Sequence, residues 1–107
     1  MTRRRVSVFG STGSVGQNTV SLLIGQGGPA TYDVVALTGA GNVDLLADQA
    51  RRLDARIAVT AVPDRLEALR AALRGTGVEA AAGPEALVDA ASEPTDWAMS
   101  AIVGSAG

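Results

Sequence analysis

The chain contains no cysteine and no histidine. Those absences exclude disulfide bonds, a Cys–His nucleophile pair and an ordinary zinc site. Aromatic side chains are nearly missing too: Phe9, Tyr32 and Trp97 are the full set, so alanine, valine and leucine must fill the interior. Basic charge is not in excess. Nine basic residues stand against eleven acids, a formal net charge of −2, and the positive footprint of a nucleic-acid-binding protein is lacking. No apolar run is long enough to cross a bilayer. The one basic cluster, Arg3-Arg4-Arg5, precedes an apolar stretch that stops at Gly10, too short for the core of a signal peptide. It reads as a solvated approach to a strand. The expectation is a cytoplasmic protein with neither a nucleic-acid nor a membrane partner.

What the chain does have is hydrophobic content of 47% against 19% charged residues over 107 positions, which suits one folded domain rather than a disordered segment. Two kinds of segment alternate. Short runs rich in β-branched residues predict strands over Arg5–Phe9, Tyr32–Leu37, Arg56–Thr60, Val78–Ala82 and Asp96–Val103. Several are almost continuously apolar, as expected of parallel strands covered on both faces. Between them, apolar residues at three- and four-residue steps predict helices over Val15–Ile24, Val43–Leu53, Pro63–Arg74 and Pro84–Ala91. In the first, Val15, Thr19, Leu22 and Leu23 are expected to form the inward side.

The punctuation agrees. Asn42 stands where an N-cap belongs, Pro63 and Pro84 lie near first helical turns, and Gly25 and Gly75 follow helices as stops. Alternation with short connections predicts a mostly parallel sheet with right-handed crossovers. The expected fold is α/β: a Rossmann-like, doubly wound sheet. It reads as truncated after the fifth strand, because "IVGSAG" reaches Gly107 on a glycine-flanked turn that ought to open another helix.

The stretch "FGSTGSVG" sits between the first strand and the first helix. Gly10, Gly13 and Gly16 each cost conformational entropy when ordered, which a tight turn or a close approach to a ligand would explain. Ser11 takes the place of the first glycine of the dinucleotide fingerprint. Gly13 would let the backbone approach a pyrophosphate, and Gly16 would let the helix pack close to the sheet. Free N–H groups at the helix start attract phosphate, with Thr12 and Ser14 adding hydroxyl donors. About twenty residues on, an NAD enzyme commonly carries an acid for the ribose hydroxyl. Here residues 38–42 read Thr-Gly-Ala-Gly-Asn, without a carboxylate, which favours NADP(H). The N–H groups of Ala40 and Gly41, the Asn42 side chain, and Arg51 or Arg52 are the candidates for the 2′-phosphate. Asn42 can serve as helix cap and ligand contact together.

The segments "VFGSTGSVGQNTV", "YDVVALTGAGNV", "EAAAGPEALVDAA" and "DWAMSAIVGSAG", in this order and spacing, resemble the start of 1-deoxy-D-xylulose 5-phosphate reductoisomerase. The resemblance implies an enzyme that uses NADPH and a divalent cation, Mg or Mn. Its reaction rearranges and reduces 1-deoxy-D-xylulose 5-phosphate, a phosphosugar, to 2-C-methyl-D-erythritol 4-phosphate in non-mevalonate isoprenoid biosynthesis. It also implies a homodimer. By the same resemblance Thr12, Gly13, Ser14 and Val15 contact the NADPH phosphates, and Ala40, Gly41 and Asn42 surround the adenosine ribose phosphate. Many members carry Gly-Lys-Asn at those last three places. Residues 101–107 would lie near the nicotinamide. On this reading residues 1–107 are an incomplete N-terminal NADP(H)-binding domain, inactive alone, with the catalytic and C-terminal domains outside it. The acids are scattered along helices and turns, so no catalytic residue and no metal ligand is assigned within the chain. Two alternatives stand beside this one: another reductase with the same loop, such as a semialdehyde dehydrogenase, and a non-catalytic dinucleotide-binding module.

Overall fold

Apolar runs become strands and apolar residues at helical spacing become helices along the whole described chain. In the computed structural model, which describes residues 3–100, the order is β1 (Arg4–Phe9), α1 (Ser14–Gly25), β2 (Tyr32–Gly39), α2 (Val43–Leu53), β3 (Ile57–Thr60), α3 (Leu66–Ala72), β4 (Glu79–Ala82), α4 (Pro84–Ser92) and β5 (Trp97–Ser100). The five strands form one sheet in the order β4-β3-β2-β1-β5, and every pairing is parallel. The chain steps outward from β1 to β4 and then returns to the far side of β1. Right-handed crossovers therefore leave α1, α2 and α3 on one face and α4 on the other. The Rossmann-like α/β arrangement expected from the alternation is the one found.

The two cores follow from this winding. On the three-helix face, Val6, Val8, Val34 and Leu37 of the sheet pack with Val20, Leu23, Leu46, Leu53 and Leu69. On the other face Val35, Ala36 and Val59 meet Ala90, with Phe9 and Leu87 against them. A register shift separates Val6↔Val34 from Ser7↔Ala36, so Val35 is an extra residue in β2. That bulge turns two consecutive residues, Val35 and Ala36, to the α4 face while Val34 and Leu37 both serve the other core.

Several local expectations are corrected. The inward stripe of α1 is Gly16, Val20 and Leu23; Val15 and Leu22 are 49% and 58% exposed. The stripe is rotated because its first member is a glycine, which hydrophobic periodicity does not register. Gly25 is the last residue of α1 and not its stop; the left-handed residues are Gly27 and Gly28, with φ of 118° and 55°. Gly75, with φ of 85°, does follow α3 as a stop. The helix expected from Pro63 opens with a 3-10 turn, Pro63–Arg65, before α3. β2 runs on to Gly39, two residues beyond the expected end. The expected continuation of β5 to Val103, and the segment 101–107, lie outside the described residues. Among the described residues no helix is long and apolar enough to cross a membrane.

At the amino ends of the strands Arg56 grips Asp33, donating from Nε to Oδ1 at 3.0 Å and from Nη2 to Oδ2 at 2.6 Å. These hydrogen bonds hold the Asp33 carboxyl below its ordinary value of 3.8; burial opposes the shift, and the charges of Arg56, Arg3 and Arg5 reinforce it. Because the folded value is the lower one, the pair's contribution is complete above the ordinary carboxylate range. It is lost as pH falls through the folded value. Asp33→Asn is therefore expected to lower stability by about 0.2–1 kcal/mol at neutral pH, the usual scale for an ion pair whose arginine stays in solvent. Denaturant unfolding of both proteins should show that gap closing in acid. A gap independent of pH would remove the ion pair as its cause.

Candidate functional site

The turn after β1 is built by Gly10, whose φ of 80° lies in the left-handed region that glycine enters without strain. Its N–H donates to the Thr38 carbonyl and the Thr38 hydroxyl, each at 3.0 Å, and the Ser11 N–H donates to the same carbonyl at 2.7 Å. The loop is thereby stitched to the end of β2. The Gly13 N–H then donates to the Gly10 carbonyl at 3.2 Å, and Gly13 caps α1 by accepting from the Gln17 N–H at 2.8 Å. The first N–H groups of a helix have no partner inside it, so the α1 terminus faces outward as a donor array.

The glycines of this loop answer different needs. A Cβ on Gly16 would stand 2.1 Å from the Gly10 carbonyl oxygen and 2.6 Å from the Ser11 Cα. No side chain fits there. A Cβ on Gly13 would meet only the Gly10 oxygen at 3.6 Å, an ordinary contact. Within the protein Gly13 is thus replaceable. A glycine is needed there only for something outside the chain.

The second loop approaches the first closely. A Cβ on Gly39 would lie 2.8 Å from the Thr12 hydroxyl oxygen. The Ala40 carbonyl accepts from the Thr60 hydroxyl at 2.6 Å, and the Gly39 carbonyl accepts from the Ala61 N–H at 2.7 Å. Asn42 caps α2 as expected, its Oδ1 accepting from the Leu45 N–H at 3.3 Å. Between the loops lies a cavity of about 340 Å³, lined by Gly10, Thr12 and Gly13 on one side and Thr38, Gly39 and Ala40 on the other. Ala61 and Leu87 complete the lining, and no acid takes part. A larger depression of about 490 Å³ lies between α4 and the first residues of β3 and β4, where Glu79, Asp89 and Glu93 would repel an anion. Size and chemistry disagree here, and chemistry favours the smaller cavity for a phosphate ligand.

Of the sequence-derived site residues, Gly10, Thr12, Gly13 and Ala40 come together around the cavity. Ser14 begins α1. Gly41 and Asn42 stand exposed beside the cavity without lining it, Val15 is half-exposed on α1, and Gly16 is buried beneath the loop. Arg51 and Arg52 are corrected: they occupy the last turn of α2, Arg52 Nε pairing with Asp48 Oδ2 at 2.9 Å. Nine or ten residues of helix, on the order of 14 Å of rise, separate them from Asn42. Sequence reasoning also passed over Gln49 and its pairing with Ser11 in the interior. The Ser11 hydroxyl donates to Gln49 Oε1 at 2.7 Å, and Gln49 Nε2 donates to the Ser11 carbonyl at 2.8 Å. The available signal was an amide three residues after Leu46, on the buried stripe of α2. Among the described residues no group of three or more acids could hold a metal ion.

A parallel sheet with a glycine turn opening its first helix defines the Rossmann-like α/β class. Within it the chain belongs to the 1-deoxy-D-xylulose 5-phosphate reductoisomerase family, whose profile matches residues 6–107. The reductoisomerase of Ruegeria pomeroyi is 62% identical over 104 residues, covering 97% of this chain and 26% of that protein. That of Jannaschia sp. is 63% identical over 105 residues, covering 98% and 26%. Among solved structures, the reductoisomerase from Zymomonas mobilis in complex with NADPH superposes with a TM-score of 0.89 at 46% identity, covering 94% of this chain and 26% of that one. A DOX-P reductoisomerase in complex with magnesium superposes with a TM-score of 0.83 at 31% identity, covering 99% and 26%. The chain thus spans about a quarter of the length of these relatives.

Gly16→Ala is expected to destabilise the fold by about 1–3 kcal/mol or more, the cost of forcing atoms into a filled space. Gly13→Ala is expected to cost less than about 1 kcal/mol, the scale of a changed N-cap. Thermal unfolding of the two variants separates them. Equal losses would contradict the division of roles.

Proposed function

We propose that this chain is the N-terminal NADPH-binding portion of a reductoisomerase that converts 1-deoxy-D-xylulose 5-phosphate to 2-C-methyl-D-erythritol 4-phosphate in non-mevalonate isoprenoid biosynthesis. The observation that carries the reading is the cavity between the glycine turn and the acid-free second loop, in a chain of this family. The residues suit a dinucleotide. Gly13 leaves open the space that a pyrophosphate needs. In this reading the N–H groups at the start of α1, from Thr12 to Val15, take the pyrophosphate, and Gly10 and Gly16 hold the turn that aims them. Ala40, Gly41 and Asn42 take the adenosine ribose and its 2′-phosphate, with no carboxylate in the cavity lining to repel it. The relative from Zymomonas mobilis in complex with NADPH supports the cofactor.

When bound, NADPH supplies the hydride. The role of this chain is to bind and orient it. The divalent cation, Mg or Mn, the phosphosugar substrate and the catalytic groups belong in this reading to the remaining three quarters of the relatives' length. Relatives in complex with magnesium, and with NADPH, fosmidomycin and magnesium, support the divalent cation. The whole protein is proposed to be a cytoplasmic homodimer with no nucleic-acid or membrane partner, and residues 1–107 alone to be inactive. Family membership favours this reading over a semialdehyde dehydrogenase or a non-catalytic module.

Gly13→Val in the full-length protein should weaken NADPH binding in a fluorescence titration while circular dichroism stays native. Unchanged affinity would sink the phosphate-cradle assignment. For cofactor choice, the full-length protein should prefer NADPH to NADH in kcat/KM. Gly41 has open space around it, so Gly41→Lys fits and should sharpen the preference by about 1.5–3 kcal/mol, the range for hydrogen bonds to charged groups. Equal use of both cofactors by the parent, or no gain in the variant, would count against the corresponding half.

A further inference from the structure

We infer that Gln49 is a positioning residue for the dinucleotide, holding the glycine turn and the amino end of α2 at the separation that one ligand must span. The inference rests on the NADPH reading above. Ser11 is fully buried and Gln49 is 4% exposed, so neither side chain touches a ligand. Their two reciprocal hydrogen bonds, at 2.7 and 2.8 Å, satisfy the Ser11 hydroxyl and carbonyl and both ends of the Gln49 amide. Hydrocarbon side chains of the same shape in place of such a pair are often nearly neutral for stability. Burial alone therefore does not explain an amide on a stripe otherwise made of Val43, Leu46, Ala47, Ala50 and Leu53.

Location does explain it. Ser11 lies inside the turn between Gly10 and Thr12, two residues that line the cavity. Gln49 lies two turns along the helix whose amino end is capped by Asn42. The backbone bonds from Gly10 and Ser11 reach only Thr38, at the end of β2. They fix the turn to the sheet and do not reach α2, which the core holds through Val43, Leu46, Ala47, Ala50 and Leu53. Among the described residues the Gln49 amide is the hydrogen-bonded side-chain link between the turn and the body of that helix, and so sets where Gly41 and Asn42 stand relative to the donors of α1.

The test compares ligands that bridge the two loops with ligands that touch one. Gln49→Met in the full-length protein keeps the length of the side chain and removes both hydrogen bonds; Ser11→Ala removes only the hydroxyl bond and is the milder variant. Calorimetric affinities are measured for NADPH, adenosine 2′-monophosphate and inorganic pyrophosphate, with thermal unfolding alongside. Gln49→Met should weaken NADPH about tenfold, within the usual range of coupling between sites. Each single-loop ligand should change by less than about twofold, since one loop alone needs no fixed separation. Ser11→Ala should weaken NADPH to a smaller degree and add nothing further to Gln49→Met, as expected of partners in one interaction. Equal losses for all three ligands would reduce the pair to a structural contact and overturn the inference, as would unchanged NADPH affinity in both variants. If the parent protein fails to bind NADPH, or Gly13→Val binds it normally, the NADPH reading itself falls and takes this inference with it. Normal behaviour of those two with unaltered binding by Gln49→Met overturns the positioning role alone.

Discussion

The contact between Gly16 and the Gly10 carbonyl is the constraint on which the rest of the molecule depends. With a Cβ position 2.1 Å from that oxygen, α1 lies directly on the turn that ends β1. A helix seated so closely must present Gly16, Val20 and Leu23 to the sheet, which in turn leaves Val15 and Leu22 outside. The same seating aims the amino end of α1 across the turn toward the cavity.

The second constraint comes from β2, the middle strand. Its bulge at Val35 lets the strand serve both cores and still deliver Thr38 to the Gly10 and Ser11 amides. The strand then ends at Gly39, whose lack of a side chain allows the second loop to pass close to Thr12. Backbone hydrogen bonding, small residues and a shared buried amide bring the two loops to one place. Electrostatics separate the ends of the sheet. The cavity at the carboxyl ends has no acid in its lining, whereas Asp33, Glu79 and Glu93 gather near the amino ends with Arg5 and Arg56. The carboxyl-end cavity therefore sets no carboxylate against an anionic ligand, whereas the acids at the amino ends stand among arginines.

The sequence by itself determined the architecture. Near-continuous apolar strands alternating with amphipathic helices leave a parallel sheet as the economical way to bury both faces, and that is what forms. The helical spacing of α2, the Asn42 cap and the turn at Gly10 were legible because each depends on residues only a few positions apart. The inward face of α1 was not, because hydrophobic periodicity does not register a glycine whose importance lies in having no side chain. The fingerprint spacing had already assigned Gly16 to close packing and Gly13 to open approach; the tertiary structure supplied the contacts, a Cβ position 2.1 Å from the Gly10 oxygen at Gly16 and 3.6 Å at Gly13. It also decided that Arg51 and Arg52 stand far from the second loop, and that Ser11 and Gln49, separated by 38 positions, share one pair of hydrogen bonds. Local pattern depends on neighbours along the chain. Partnership across such a distance depends on how the sheet brings its loops together, which no short stretch of sequence encodes.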